Sequence, residues 1–233
     1  TYIMSGNFAK AATTLGIPMR MEADFGEYSV IPALTGIEVY APGASSAVVI
    51  GDSTLANDIP ILLAQRLREN GITNIGILQQ AIKGNRLLDD GAGFLGMAYG
   101  EAMMDRFQRD ALDQAGVKKI FLKVGVNDVV HPNCESLKED AKAVTAAEMI
   151  EGYKQLIEQA HRKGIEVYLF TRTAWKGYTR NVLGSDDVTW TQQIDQMRQD
   201  INTWIRSEDN PADGIIDLDF MCTDSSATQL KSE

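Results

Sequence analysis

The chain has 233 residues, 44% of them hydrophobic, enough to bury one substantial core and favouring one large domain over two. Its net charge of −10 argues against nucleic acid and against an anionic membrane surface, leaving a neutral small molecule or carbohydrate as the more comfortable partner. No apolar run reaches the roughly 18 residues of a membrane helix, so no membrane insertion is expected, and no signal-peptide pattern is visible.

Residues 1–40 hold Gly and Pro turns and scattered apolar residues such as Phe25, Tyr28, Val30, Ile31, Val39 and Tyr40. They read as an irregular or β-rich, antiparallel lead-in, the end of an upstream segment. From residue 41 onward, short β-branched runs alternate with longer amphipathic stretches. The runs fall at 47–50, 75–78, 119–124, 165–170 and 214–218; apolar on both faces, they suit central strands of a parallel sheet. Between them, residues 59–69 place Ile59, Leu62, Leu63 and Leu67 at helical spacing and stop at Asn70-Gly71. Thr145 and Glu148 fit a capping box that opens a helix running to Lys163. Residues 190–205 carry Ile194, Met197, Ile201, Trp204 and Ile205 on one helical face. This alternation predicts an α/β sandwich around a five-stranded parallel sheet with right-handed crossovers. Ligands of such sheets bind outside the carboxyl ends of the strands, so the chemistry is sought there.

Three strand ends carry candidate residues. The first reads Val48-Val49-Ile50-Gly51-Asp52-Ser53-Thr54-Leu55: a glycine permits a tight turn, and Ser53 is presented at the open edge of the sheet. A helix N-terminus beside it would favour a developing negative charge. Alternatively, Ser53 or Asp52 merely caps that helix. The second, after the second strand, holds Gly84-Asn85-Arg86, where Gly84 can turn its backbone amide toward a ligand or serve as an ordinary turn glycine. The third, Lys123-Val124-Gly125-Val126-Asn127-Asp128, offers the Asn127 side-chain amide as a donor, or a simple turn.

Taken in order, the blocks Gly51-Asp52-Ser53, Gly84-Asn85-Arg86 and Gly125-Val126-Asn127-Asp128 resemble those of the SGNH (GDSL-type) hydrolases, and residues 34–42 look like the lead-in of a bacterial subgroup. The resemblance covers residues 34–233. It implies a flavodoxin-like, three-layer α/β/α sandwich with the hydrolase domain at 41–233. It further implies a serine hydrolase that cleaves small acyl esters, acetyl esters of carbohydrates above all, through an acyl-enzyme on Ser53. The oxyanion would be held by the Ser53 and Gly84 amides and the Asn127 side chain, with no metal or organic cofactor. A secreted or periplasmic location follows from the same resemblance. A lipase or thioesterase of this class, or a non-catalytic carbohydrate-binding relative, are the alternatives.

A nucleophilic serine needs a base and the base an orienter. The family takes both from an Asp-x-x-His block beyond the last strand, whereas here residues 219–233 contain no histidine. The expectation is that the chain is a fragment truncated before that block, a reading that its start at Thr1 also fits. Asp128-Val129-Val130-His131 satisfies Asp-x-x-His literally, but one short loop would then supply oxyanion donor, orienter and base. His161 ends a helix, where it would meet terminal carbonyls at the wrong edge of the sheet. Asp52 is read as fixing the turn, and Arg86 as holding its loop or contacting a substrate anion. Trp175 is read as packing or stacking on a sugar or acyl group, and Met103-Met104 as core. Cys134 and Cys222 are either two thiols or one disulfide of an exported protein.

Overall fold

This computed structural model describes residues 21–23, 26–28, 38, 40–56, 58–93, 96–182, 185–188, 190–224 and 230. The chain divides into two compact units, Thr1–Tyr40 and Ala41–Glu233. In the first, β1 (Met21–Ala23) and β2 (Gly26–Tyr28) pair as an antiparallel hairpin. Phe25, Val30, Ile31 and Val39 lie outside the described residues.

In the second unit the apolar runs form one parallel sheet. Its strands are β3 (Ser45–Gly51), β4 (Ile75–Gln79), β5 (Val117–Lys123), β6 (Glu166–Phe170) and β9 (Gly214–Ile216), in the order β4-β3-β5-β6-β9. Alternate residues serve opposite faces. Val48, Ile50, Ile120, Leu122, Val167 and Leu169 meet Met149, Leu156 and Ile157 of α5 (Ala146–Arg162) and Ile201 and Trp204 of α6 (Gln192–Arg206). On the opposite face, Val49, Leu55 and Ala81 pack with Leu63, Ile77, Phe121 and Phe170. The α/β sandwich is thus as expected. The capping box forms too: the Thr145 hydroxyl accepts from the Glu148 amide at 3.2 Å and Glu148 accepts from the Thr145 amide at 2.8 Å. A second hairpin, β7 (Thr179–Val182) with β8 (Ser185–Val188), stands outside the main sheet.

Two local expectations are corrected. Helix α1 (Ile59–Glu69) turns Pro60, Leu63, Ala64 and Leu67 inward and leaves Ile59 and Leu62 exposed. Both registers have helical spacing, and the packing of Leu63 on the sheet selects the one that leaves Ile61 and Leu62 outside. The fifth strand stops at Ile216, because Asp217 turns its carboxylate onto the Phe220 amide at 3.1 Å and opens α7 (Leu218–Cys222).

Candidate active site

The chain enters the sheet at β3, steps to β4 on one side and then crosses to β5 on the other. That reversal opens a crevice at the carboxyl ends of β3 and β5. At the end of β3 a Cβ on Gly51 would lie 1.9 Å from the Lys123 carbonyl oxygen, so only glycine lets the strands stay paired there. The Asp52 amide continues the pairing onto Lys123 O at 3.1 Å. The Asp52 carboxylate then accepts from the Thr54 amide at 2.9 Å and the Thr54 hydroxyl at 2.6 Å, which closes a turn with Ser53 at its tip. Helix α1 begins only at Ile59, so this turn, not the expected helix N-terminus, flanks the serine.

Ser53 lies half-buried on the wall of a cavity of about 610 Å³ that Lys123, Asn127, Arg172 and Trp175 also line. Its hydroxyl makes no hydrogen bond among the described residues, and neither the Ser53 nor the Gly84 amide has an acceptor there. Asn127, in α4 (Val126–Val130), is buried and donates from Nδ2 to Asn85 O at 2.9 Å. The structure therefore brings Ser53 and Asn127 into the lining of one cavity. Gly84 is outside that lining: it holds φ at +81°, and the Tyr99 ring fills the place of its missing Cβ.

Sequence reasoning missed the network that joins the three blocks. Asn85 Nδ2 donates to Tyr99 O and Glu101 O at 2.9 and 2.8 Å, while Asn85 Oδ1 accepts from Arg106 Nε and Nη2 at 3.0 and 2.9 Å. Arg106, in α3 (Met103–Phe107), also donates to Gly51 O at 3.2 Å and Gln80 O at 2.8 Å. One buried guanidinium thus ties the ends of β3 and β4 to the residue that holds Asn127. The available signal was an arginine set among Met103, Met104 and Phe107; Met103 itself is core, as read.

Neither histidine stands at Ser53. His131 is fully buried, its ring 5.2 Å from that of Tyr99, and it is not on the cavity wall. Asp128 does not orient it. Its carboxylate accepts from the Leu87 amide at 2.8 and 2.9 Å and the Leu88 amide at 3.0 Å, fixing the chain just after Arg86. Burial pushes the Asp128 carboxyl above the usual range, and those two amides oppose the shift. His161 does have a carboxylate partner, Asp213, at 2.9 Å, but the pair lies where β6 and β9 begin, at the opposite edge of the sheet. Arg86 holds its own loop through Asp89 at 3.2 Å and Lys142 O at 2.8 Å. Cys134 and Cys222 are thiols, not a disulfide. Among the described residues no group of His, Cys, Asp and Glu is arranged to hold a metal, and no helix is long and apolar enough to cross a membrane.

A parallel α/β sandwich with a serine displayed on a tight turn at the switch point, and an asparagine lining the same cavity, has the layout of a carboxylic ester hydrolase. Residues 43–232 match the GDSL-like lipase/acylhydrolase family, and the chain belongs to it. Solved structures share its fold. The acetyl xylan esterase AlAXEase is 20% identical, with 75% of this chain and 78% of that one covered and a TM-score of 0.50. A protein of the G-D-S-L lipolytic family from Desulfitobacterium hafniense DCB-2 is 17% identical over 80% and 85%, with a TM-score of 0.53. A variant of Axe2, an acetyl xylan esterase from Geobacillus stearothermophilus, is 16% identical over 73% and 76%, with a TM-score of 0.51. No curated protein matches the chain.

Proposed function

We propose that this chain cleaves small acyl esters, acetyl esters of carbohydrates first among them, by forming an acyl-enzyme on Ser53. The observation that carries the reading is an unengaged Ser53 hydroxyl in a cavity at the switch point that Asn127 also lines. Ser53 Oγ attacks the ester carbonyl carbon, the carbonyl oxygen gains the charge, and collapse of the tetrahedral intermediate expels the alcohol. Water then attacks the acyl-serine and releases the acid. The Ser53 amide and Asn127 Nδ2 serve the oxyanion. The flat indole of Trp175 in the same lining suits a sugar ring, and the solved structures of like fold include two acetyl xylan esterases.

No described residue of the cavity wall is a histidine, so the reaction of Ser53 in this chain is expected to be slow. A fluorophosphonate probe and p-nitrophenyl acetate read it directly. Labelling and acetate release should both be lost in Ser53→Ala, and acetate release should fall about 10²–10³-fold in Asn127→Ala. Equal labelling of the wild-type and Ser53→Ala chains would refute the reading.

A further inference from the structure

Among the cavity side chains to which acyl transfer gives no task, two are buried cations. Lys123 closes β5 and is 7% exposed; Arg172 follows β6 and is 4% exposed. The two strands are neighbours, so both residues stand at the carboxyl edge of the sheet and line the cavity of Ser53.

Burying a cation is costly unless an anion meets it. The other buried arginines have such partners: Arg198 meets Asp195 at 2.7 Å and Asp219 at 2.6 Å, Arg106 meets Asp110 at 3.1 Å, and Arg86 meets Asp89 at 3.2 Å. Lys123 and Arg172 make no ion pair with a described carboxylate. The Lys123 ammonium donates to a neutral hydroxyl, Thr54 Oγ1, at 2.7 Å, and that hydroxyl in turn donates a hydrogen bond to the Asp52 carboxylate at 2.6 Å. Arg172 spends Nη2 on the Tyr153 hydroxyl and on Val124 O at 3.3 Å, while its Nε and Nη1 are buried with no hydrogen-bond partner among the described residues. Burial pulls the Lys123 ammonium below the usual lysine range; Asp52 counters part of this and the Arg172 charge adds to it. A bound anion would relieve both the desolvation and the mutual repulsion.

We propose that Lys123 and Arg172 form an anion-recognition subsite beside Ser53, so that the preferred ester carries a carboxylate on its acyl or alcohol part. This rests on the esterase reading and names its substrate class. A singly charged, planar carboxylate suits the subsite better than a phosphate dianion, because the buried Asp52 carboxylate stands close to Lys123 and would repel the second charge. The bulk charge of −10 points to a neutral partner, but the local field of two buried cations decides what enters the cavity.

The test is calorimetric titration of the Ser53→Ala chain with 4-acetoxybenzoate and with its methyl ester, which differ by one charge. The carboxylate should bind at least about tenfold more tightly, the worth of one charged hydrogen bond. Adding Lys123→Met should shrink that ratio to about twofold or less, and Lys123→Arg should restore most of it. Because the readout is a ratio within each variant, a loss of folded protein does not mimic it. Equal affinities in Ser53→Ala, absence of binding by both ligands included, would overturn the subsite; so would an undiminished ratio in Lys123→Met. The two readings fail separately. A carboxylate preference with no probe labelling of wild-type Ser53 removes the esterase and keeps the subsite, whereas labelling without preference does the reverse.

Discussion

Gly84 shows how a residue can be conspicuous for one reason and constrained by another. In the sequence it is a loop glycine able to turn an amide toward a ligand. In the structure its φ of +81° combines with the Tyr99 ring, whose Cδ1 would lie 2.0 Å from an added Cβ. An alanine there meets both the left-handed penalty of about 1 kcal/mol and overpacking of about 1–3 kcal/mol. Gly84→Ala is therefore expected to lower stability by about 2–4 kcal/mol, read from the urea midpoint. In a double-mutant cycle with Tyr99→Ala the two losses should add to less than their sum, because the second change removes the ring that the first one strikes. Full additivity would mean that the ring is not what excludes the side chain. The lysines of β5 teach a related lesson. Lys119 and Lys123 bracket one apolar run and look alike in sequence, yet Lys119 is partly exposed and pairs with Glu166, while Lys123 is buried in the cavity. Nothing local distinguishes them; the distinction comes from the Ser53 turn folding over the second one.

Among the elements, α7, like α4, is one that sequence periodicity could not find. It has five residues, too few for a helical stripe, and its first residues read as the tail of a strand. Asp217 holds the junction: it caps α7, accepts from the Thr171 hydroxyl at 2.8 Å and pairs with Arg206 of α6 at 2.6 and 2.7 Å. The Arg206 guanidinium lowers the Asp217 carboxyl to about 2, from an ordinary 3.8. The folded pKa lies below the unfolded one, so this stabilisation is fully present above about pH 4 and is lost as pH falls toward 2. Asp217→Asn should thus melt several degrees below wild type at pH 7, and the gap should close as both are titrated to pH 2. A gap that does not change with pH would assign the effect to the cap and not to the charge. The long elements were legible for the opposite reason. The first four apolar runs and the Thr145 box are strong local signals that the fold turns into strands and a capped helix, whereas the register of α1 was ambiguous because Ile59, Ile61, Leu62 and Leu63 offer two apolar stripes.

At the scale of the larger unit, the order β4-β3-β5-β6-β9 is what makes a site out of separated blocks. Residues near 53, 84, 127 and 172 meet because each follows a parallel strand, and parallel strands deliver all their carboxyl ends to one edge. Ser53, and Asn127 at that edge, could be read from the sequence; the Arg106 and Asn85 network and the cation pair could not, since they depend on which strands become neighbours. The central strand should therefore carry a disproportionate share of the stability. Ile120 of β5 is fully buried between β3 and β6 and faces the α5 and α6 layer. Ile120→Ala leaves a cavity that both neighbouring strands resist closing, a loss of about 3–4 kcal/mol. Ile61 is 59% exposed on α1, and Ile61→Ser should stay within about 0.5 kcal/mol of wild type. Urea midpoints of the two variants compare the layers directly. If Ile61→Ser proved as costly as Ile120→Ala, then the outer face of α1 would be buried in solution, and the helix would have a partner beyond the sheet.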